Sequence, residues 1–336
     1  MSFKPFRIVG AVALLVASLV ASPVRLAVAQ TTATQGTDAT AIKALVDALK
    51  DSDADVRKSA AQSLGRIGKE AKAAVPALTE ALKDKEVNVR GASALALGRM
   101  GKEAKSAAPA LAELLKDKDK DLRGAAALAL ARIGKEAKAA VPALLDLARD
   151  EDKQLQVFAR CALAILDDLF TERHIAVLAD ALKDASVEVR GAAAYALGEL
   201  GPVAKGAVPA LAAALMDKEA DVRRAAARAL GELGPDASGA VAALAGALKD
   251  ATADVQVTAA LALAEIGPDA KGAVPDLIQA LKSKEVEMRG AAVFALGEIG
   301  GNARDAIPAI TQLLKDDDAD VRKAAVVALG KIQGMQ

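Results

Sequence analysis

The chain has 336 residues, 44 basic and 44 acidic side chains, and a formal net charge of zero. Apolar residues make up 53% and charged residues 26%, enough to build a core, but aromatic residues make up only 2% and tryptophan is absent. One thick core would use more large rings, and the balanced charge gives no basis for a nucleic-acid binder.

Lys4 and Arg7 precede an apolar run from Ile8 to Ala21, and Ala27-Val28-Ala29 offers a small-residue cleavage site before Gln30. This order predicts a secretory signal peptide over residues 1–29 and an exported protein, periplasmic or secreted. The run spans 14 residues, short for a membrane crossing, so no membrane association is expected after cleavage; retention as an anchor is the alternative. Losing Lys4, Arg7 and Arg25 leaves 41 basic and 44 acidic residues, a formal net charge of −3. Residues 30–39 are rich in Thr, Gln, Gly and Ala and read as a flexible tether. Cys161 is the only cysteine, so no intramolecular disulfide can form.

From residue 40 to 333 the chain repeats itself. The arginine of Asp55-Val56-Arg57 recurs as Arg90, Arg123, Arg190, Arg223, Arg289 and Arg322, with Gln156 and Gln256 in the two vacant places. Every interval is 33 residues except the 34 from Gln156 to Arg190. Prolines keep the same beat at Pro76, Pro109, Pro142, Pro209, Pro275 and Pro308. In the second repeat, Val75, Leu78, Ala81 and Leu82 mark one helix over 74–83, and a second is predicted from Val87 to Met100, ending at Gly101. Gly68, Gly134, Gly201, Gly234, Gly267 and Gly300 stand at the same helix end, where a left-handed residue is needed. Pro76 either starts the main segment of the first helix or kinks it. Neither helix can bury its apolar stripe alone. Stacking would bury Leu64, Leu97, Leu130, Leu163, Leu197, Leu230, Leu263, Leu296 and Leu329 in one seam. The expected fold is therefore all-α: a solenoid of nine two-helix repeats, on the order of 90 Å long at about 10 Å per layer.

A proline in the first helix, an aspartate after it, and Val-Arg opening an Ala/Leu/Gly-rich second helix resemble the HEAT repeat, in its phycobilisome-lyase-like subgroup. Ankyrin repeats share the period, but no Thr-Pro-Leu-His element occurs. The resemblance implies an Asp–Arg ladder between repeats, here Asp51, Asp84, Asp117, Asp184, Asp217 and Asp316 with the arginine of each repeat, broken at Gln156, Gln256 and Ser283. It also implies that the second helices line the concave side.

No catalytic constellation emerges, and no cofactor or metal is expected. His174 is the only histidine and cannot supply the paired ligands of a zinc or iron site. Deoxyhypusine hydroxylase, an enzyme of similar repeats, binds iron through His-Glu pairs, and none occurs here. A Cys161/His174 nucleophile pair is weighed against a small buried thiol, and the buried thiol is preferred. Three turns read Asp-x-Asp-x-Asp (Asp51/Asp53/Asp55, Asp117/Asp119/Asp121, Asp316/Asp318/Asp320), but Val56, Leu122 and Val321 stand where a calcium loop needs glycine. Helix capping explains these acids instead.

Comparison of the repeats separates constant from variable columns. Five residues after the marker, the column includes Leu95, Leu128, Tyr195, Arg228, Leu261 and Phe294; four residues further it includes Arg99, Arg132, Glu199, Glu232, Glu265 and Glu298. That spacing places both columns on one helix face. These twelve residues are the candidate partner-binding set, a groove basic in its N-terminal half and acidic in its C-terminal half. Leu95, Leu128, Tyr195, Leu261 and Phe294 would be its apolar anchors. The competing reading has large side chains packing back over the preceding turn, Leu95 over Gly91 and Phe294 over Gly290. Residues 154–178 depart from the pattern, with Phe158, Cys161, Phe170 and His174, and predict either a hinge near 167–174 or a degenerate repeat.

The expected function is a non-enzymatic, monomeric scaffold for a protein or peptide partner. The alternatives are a bilin chromophore lyase or lyase subunit, as the subgroup resemblance implies, and a purely structural part of an envelope assembly.

Overall fold

The computed structural model describes residues 39–167 and 171–334; the expected leader and tether, as far as residue 38, and Phe170 lie outside them. Every regular element among the described residues is helical, and the α-helices fall into nine pairs. The first helices of the pairs are α1 (Ala39–Ala48), α3 (Val75–Ala81), α5 (Ala108–Leu114), α7 (Val141–Leu147) and α9 (Thr171–Ala181). They continue as α11 (Val208–Ala214), α13 (Val241–Ala247), α15 (Val274–Ala280) and α17 (Ile307–Gln312). The second helices are α2 (Ala54–Ile67), α4 (Val87–Met100), α6 (Lys120–Ile133), α8 (Lys153–Leu166) and α10 (Val187–Leu200). They continue as α12 (Ala220–Glu232), α14 (Ala253–Ile266), α16 (Val286–Ile299) and α18 (Ala319–Gln333). This is the α-solenoid expected from the period. The chain divides into two compact units between His174 and Ile175, inside α9.

The join between paired repeats is more elaborate than the sequence predicts. Second helices end at a glycine with positive φ, but Gly68 has φ 70° and ψ −135°, outside the left-handed helical well and open essentially to glycine alone. The chain then enters a seven-residue 3-10 segment, Gly68–Ala74 in the second repeat, which delivers it to the short first helix. Pro76 lies in the first turn of α3, so it starts this helix and does not kink it. Where the glycine is replaced, at Asp167, the next described element is α9, which runs to 11 residues.

Within the first unit α2, α4, α6 and α8 pack in series; within the second, α10, α12, α14, α16 and α18 do the same. Leu64, Leu97, Leu130 and Leu163 are fully buried in the first stack, and Leu197, Leu230, Leu263 and Leu296 in the second. Each contributes about 1.5–3 kcal/mol by burial. Leu329, in α18, is only half-buried. Small residues set the helix spacing. A Cβ on Gly65 would lie 2.9 Å from the Ala96 Cα, and one on Gly98 would lie 2.9 Å from the Ala129 Cα.

The Asp–Arg ladder is present, but each arginine reaches forward to the aspartate 27 residues later. Arg57, Arg190, Arg223 and Arg289 each hold the following Asp84, Asp217, Asp250 or Asp316 through two nitrogens. Arg90 and Arg123 make single, longer contacts of 3.5 and 3.4 Å to Asp117 and Asp150. Asp150 and Asp250 were thus missing from the ladder expected from sequence. Each arginine also donates through Nη1 to the carbonyl six residues before it, as Arg223 does to Asp217 at 2.9 Å. Gln156 and Gln256 keep that second bond, to the Asp150 and Asp250 carbonyls at 2.7 and 2.6 Å. The ladder aspartates also receive a backbone N–H two residues on, at 2.9 Å for Asp84 and 2.8 Å for Asp250. Asp53 and Asp318 cap α2 and α18 through two backbone N–H groups each, and Asp119 caps α6 through one, so capping accounts for the acid-rich turns.

The doubly bonded pairs are largely buried. The Arg57, Arg223 and Arg289 guanidinium groups hold the Asp84, Asp250 and Asp316 carboxyls below the usual carboxylate range, against the opposing effect of burial. A depressed folded value means stability present above about pH 4 and lost as pH falls through it. Asp250→Asn should therefore destabilise the protein by on the order of 1–2 kcal/mol at pH 7 and flatten the acid limb between about pH 5 and 2. Thermal unfolding across that range, with Asp117→Asn as the weaker comparison, measures both effects.

Candidate interaction face

The variable columns lie on the second helices, and the structure divides their residues. Leu128 is 1% exposed and Tyr195 9% exposed, so neither is a surface anchor. Side chains of the neighbouring helix lie beside both positions. Phe158 of α8 seats its ring over Gly124, one turn before Leu128; a Cβ there would lie 3.1 Å from it. Arg228 of α12 places its guanidinium 5.6 Å from the Tyr195 ring centroid. Tyr195→Glu would therefore destabilise the fold as well as alter the face. Leu95, Leu261 and Phe294 remain half-exposed. No atom lies within 4 Å of a Cβ built on Gly91, so Leu95 does not pack back over that glycine. Lys331 of α18 stands 6.0 Å from the Phe294 ring centroid.

The charged column is consistently accessible. Arg99 and Arg132 are half-buried; a Cβ on Gly65 or Gly98 of the preceding repeat would lie 3.6 Å from their Cδ atoms. Their stems thus lie along the stack while the guanidinium heads reach outward. In the second unit Glu199 and Glu298 are half-buried, and Glu232 and Glu265 are exposed. Arg228 reaches Glu232 at 2.6 Å, and Lys331 reaches Glu298 at 2.5 Å. The column thus reads Arg66, Arg99, Arg132 and Ile165 in the first unit, and four glutamates followed by Lys331 in the second.

Helix electrostatics distinguish the two rows. Arg99 and Arg132 occupy the last turns of α4 and α6, where the helix dipole favours a cation. Glu199, Glu232, Glu265 and Glu298 occupy the last turns of α10, α12, α14 and α16, where an acid costs about 0.3–1 kcal/mol. Ion pairs with Arg228 and Lys331 offset that cost for Glu232 and Glu298, so the dipole leaves the placement of Glu265 least explained.

Cys161 is fully buried, and neither ring nitrogen of the buried His174 has a hydrogen-bond partner, so these two side chains do not form a thiol–imidazole pair. Among the described residues no helix is long and apolar enough to cross a membrane.

Comparison with known proteins agrees with this architecture. The HEAT-repeat family matches residues 12–87, 42–107, 75–164, 175–264, 208–286 and 274–336. No curated protein matches the sequence. Similar solved structures include the crystal structure of an engineered protein, 27% identical, covering 87% of this chain and 88% of its own, with a TM-score of 0.49. Another is the X-ray structure of Escherichia coli YibA, 21% identical, covering 84% of this chain and 98% of its own, with a TM-score of 0.51; that likeness concerns the fold alone. The repeats, their helix pairs and the family match along both units agree: the chain belongs to the HEAT-repeat family.

Proposed function

We propose that this protein is an exported, non-catalytic scaffold that binds a protein or peptide partner along its second helices. Within the family, its Pro, Asp and Val-Arg pattern supports an assignment to the phycobilisome-lyase-like repeats. The observation that carries the reading is the glutamate row. Acids recur at four successive helix ends where the dipole opposes them, and although Arg228 and Lys331 offset the cost for Glu232 and Glu298, the recurrence favours a role for this face beyond helix stability. The acidic face of the second unit takes a basic segment of the partner, anchored by Leu261 and Phe294. The Arg99 and Arg132 face of the first unit takes an acidic segment, with Leu95 beside it.

Affinity capture of exported proteins on residues 30–336 tests this, with Glu265→Lys and Arg99→Glu/Arg132→Glu as parallel baits. Glu265→Lys should weaken partner retention at least tenfold while leaving the chain as stable as wild type or more so, by about 0.3–1 kcal/mol. Retention should fall with added salt, since exposed charges are screened. Equal capture by wild type and both variants would sink the proposed face.

A further inference from the structure

His174 and Arg160 occupy positions that other repeats give to alanine or, in the column of Arg160, to alanine and valine. Counting back from each marker, His174 stands where Ala74, Ala107, Ala140, Ala207, Ala240, Ala273 and Ala306 stand, all essentially fully buried. Arg160 stands where Ala61, Ala94, Ala127, Ala194, Ala227, Ala260 and Val293 stand, all fully buried, and where the last repeat has the exposed Val326. α8 and α9 thus carry two ionisable groups at positions that are small and apolar elsewhere: His174 is buried, and Arg160 is half-buried. The α8–α9 hairpin is closed by the Thr171 hydroxyl, which donates to the Ala164 and Asp167 carbonyls at 3.1 and 3.2 Å.

His174 is 5% exposed, and both ring nitrogens lack a hydrogen-bond partner. The Nε of Arg160 is likewise buried and unbonded. Among the described residues, the charged groups around the ring are Arg160 of α8, Asp167 just after α8, and Arg173 of α9 itself. Two cations and one anion make a poor setting for an imidazolium.

We propose that the α8–α9 hairpin is an acid-sensitive element that opens when His174 takes up a proton. A buried, neutral imidazole with no acceptor can be charged only by gaining water or a new partner, and either requires the hairpin to loosen. Burial, reinforced mainly by Arg160, holds His174 below the ordinary histidine value. The unfolded chain therefore binds the proton first as pH falls below about 6.5, and stability is lost progressively below that point. The unfolding equilibrium constant should rise by up to about tenfold per pH unit until the folded value is reached.

The assignment is clean because His174 is the only histidine. Between about pH 7 and 5 no other side chain in this protein ordinarily titrates. NMR titration of the single imidazole in the full chain should give a midpoint well below about 6.5, with amide exchange over residues 153–181 accelerating before the rest of the chain. His174→Ala restores the repeat consensus and should abolish both the accelerated exchange and the pH dependence of unfolding in this window. A folded imidazole titrating at or above about 6.5, or unchanged exchange in the hairpin from pH 7 to 5, overturns the proposal without relying on any variant.

Discussion

Gly98→Val is expected to destabilise the protein by about 2–3 kcal/mol, whereas Gly91→Ala, two turns earlier in the same helix, should stabilise it by about 0.5–1 kcal/mol. A first side-chain carbon on Gly98 falls 2.9 Å from the Ala129 Cα and 3.2 Å from its Cβ. The obstacle is the backbone of α6, which cannot swing aside as a side chain would. Relief requires α4 and α6 to separate, and separation loosens Leu97 and Leu130, both fully buried. Gly91 has nothing within 4 Å of the same atom, so alanine there only removes the entropy cost of a helical glycine. Chemical denaturation of the two variants reads the difference in sign directly. Equal effects would mean that helix spacing is not set by the glycine–alanine contact.

Leu263→Ala should cost about 2–5 kcal/mol, and Leu329→Ala, the same column in α18, about 1 kcal/mol. Leu263 is fully buried where α14 packs between α12 and α16. Truncation there removes transfer energy and leaves a cavity that helices already in close contact cannot collapse to fill. Leu329 is half-buried, and the neighbouring Val326 and Val327 are exposed, so a shortened side chain leaves no enclosed void. Differential scanning calorimetry should show a large fall in melting temperature for the first variant and a small one for the second. Comparable losses would show that burial in the seam does not govern its energetics.

Much of the fold was legible because the pattern recurs. The second helix predicted from Val87 to Met100 has those bounds, and the glycine after it has positive φ. The 3-10 segments escaped detection because Gly68–Ala74 buries only Ala71 and Ala74, too few residues to impose a readable apolar rhythm. The ladder was recognised but misregistered: Arg223 pairs with Asp250 of the next repeat, and the repeated interval of 27 residues was the available signal. On the candidate face, charge could be read column by column, since long charged side chains keep their heads in water. The exposure of Leu128 and Tyr195 could not. For Tyr195 it involves Arg228, which sits on another helix in a column that varies from repeat to repeat.

The forward reach of the ladder also bears on how the chain folds. Arg223 finds Asp250 only 27 residues away, and α12 packs on α14 one period later. Within each compact unit the favourable contacts therefore close short loops, whose entropy cost is small and nearly the same at every step. Such a unit has no obligatory nucleus at a distant pairing. Order can start at any well-packed helix pair and spread to its neighbours in either direction, at the speed typical of locally connected helical proteins.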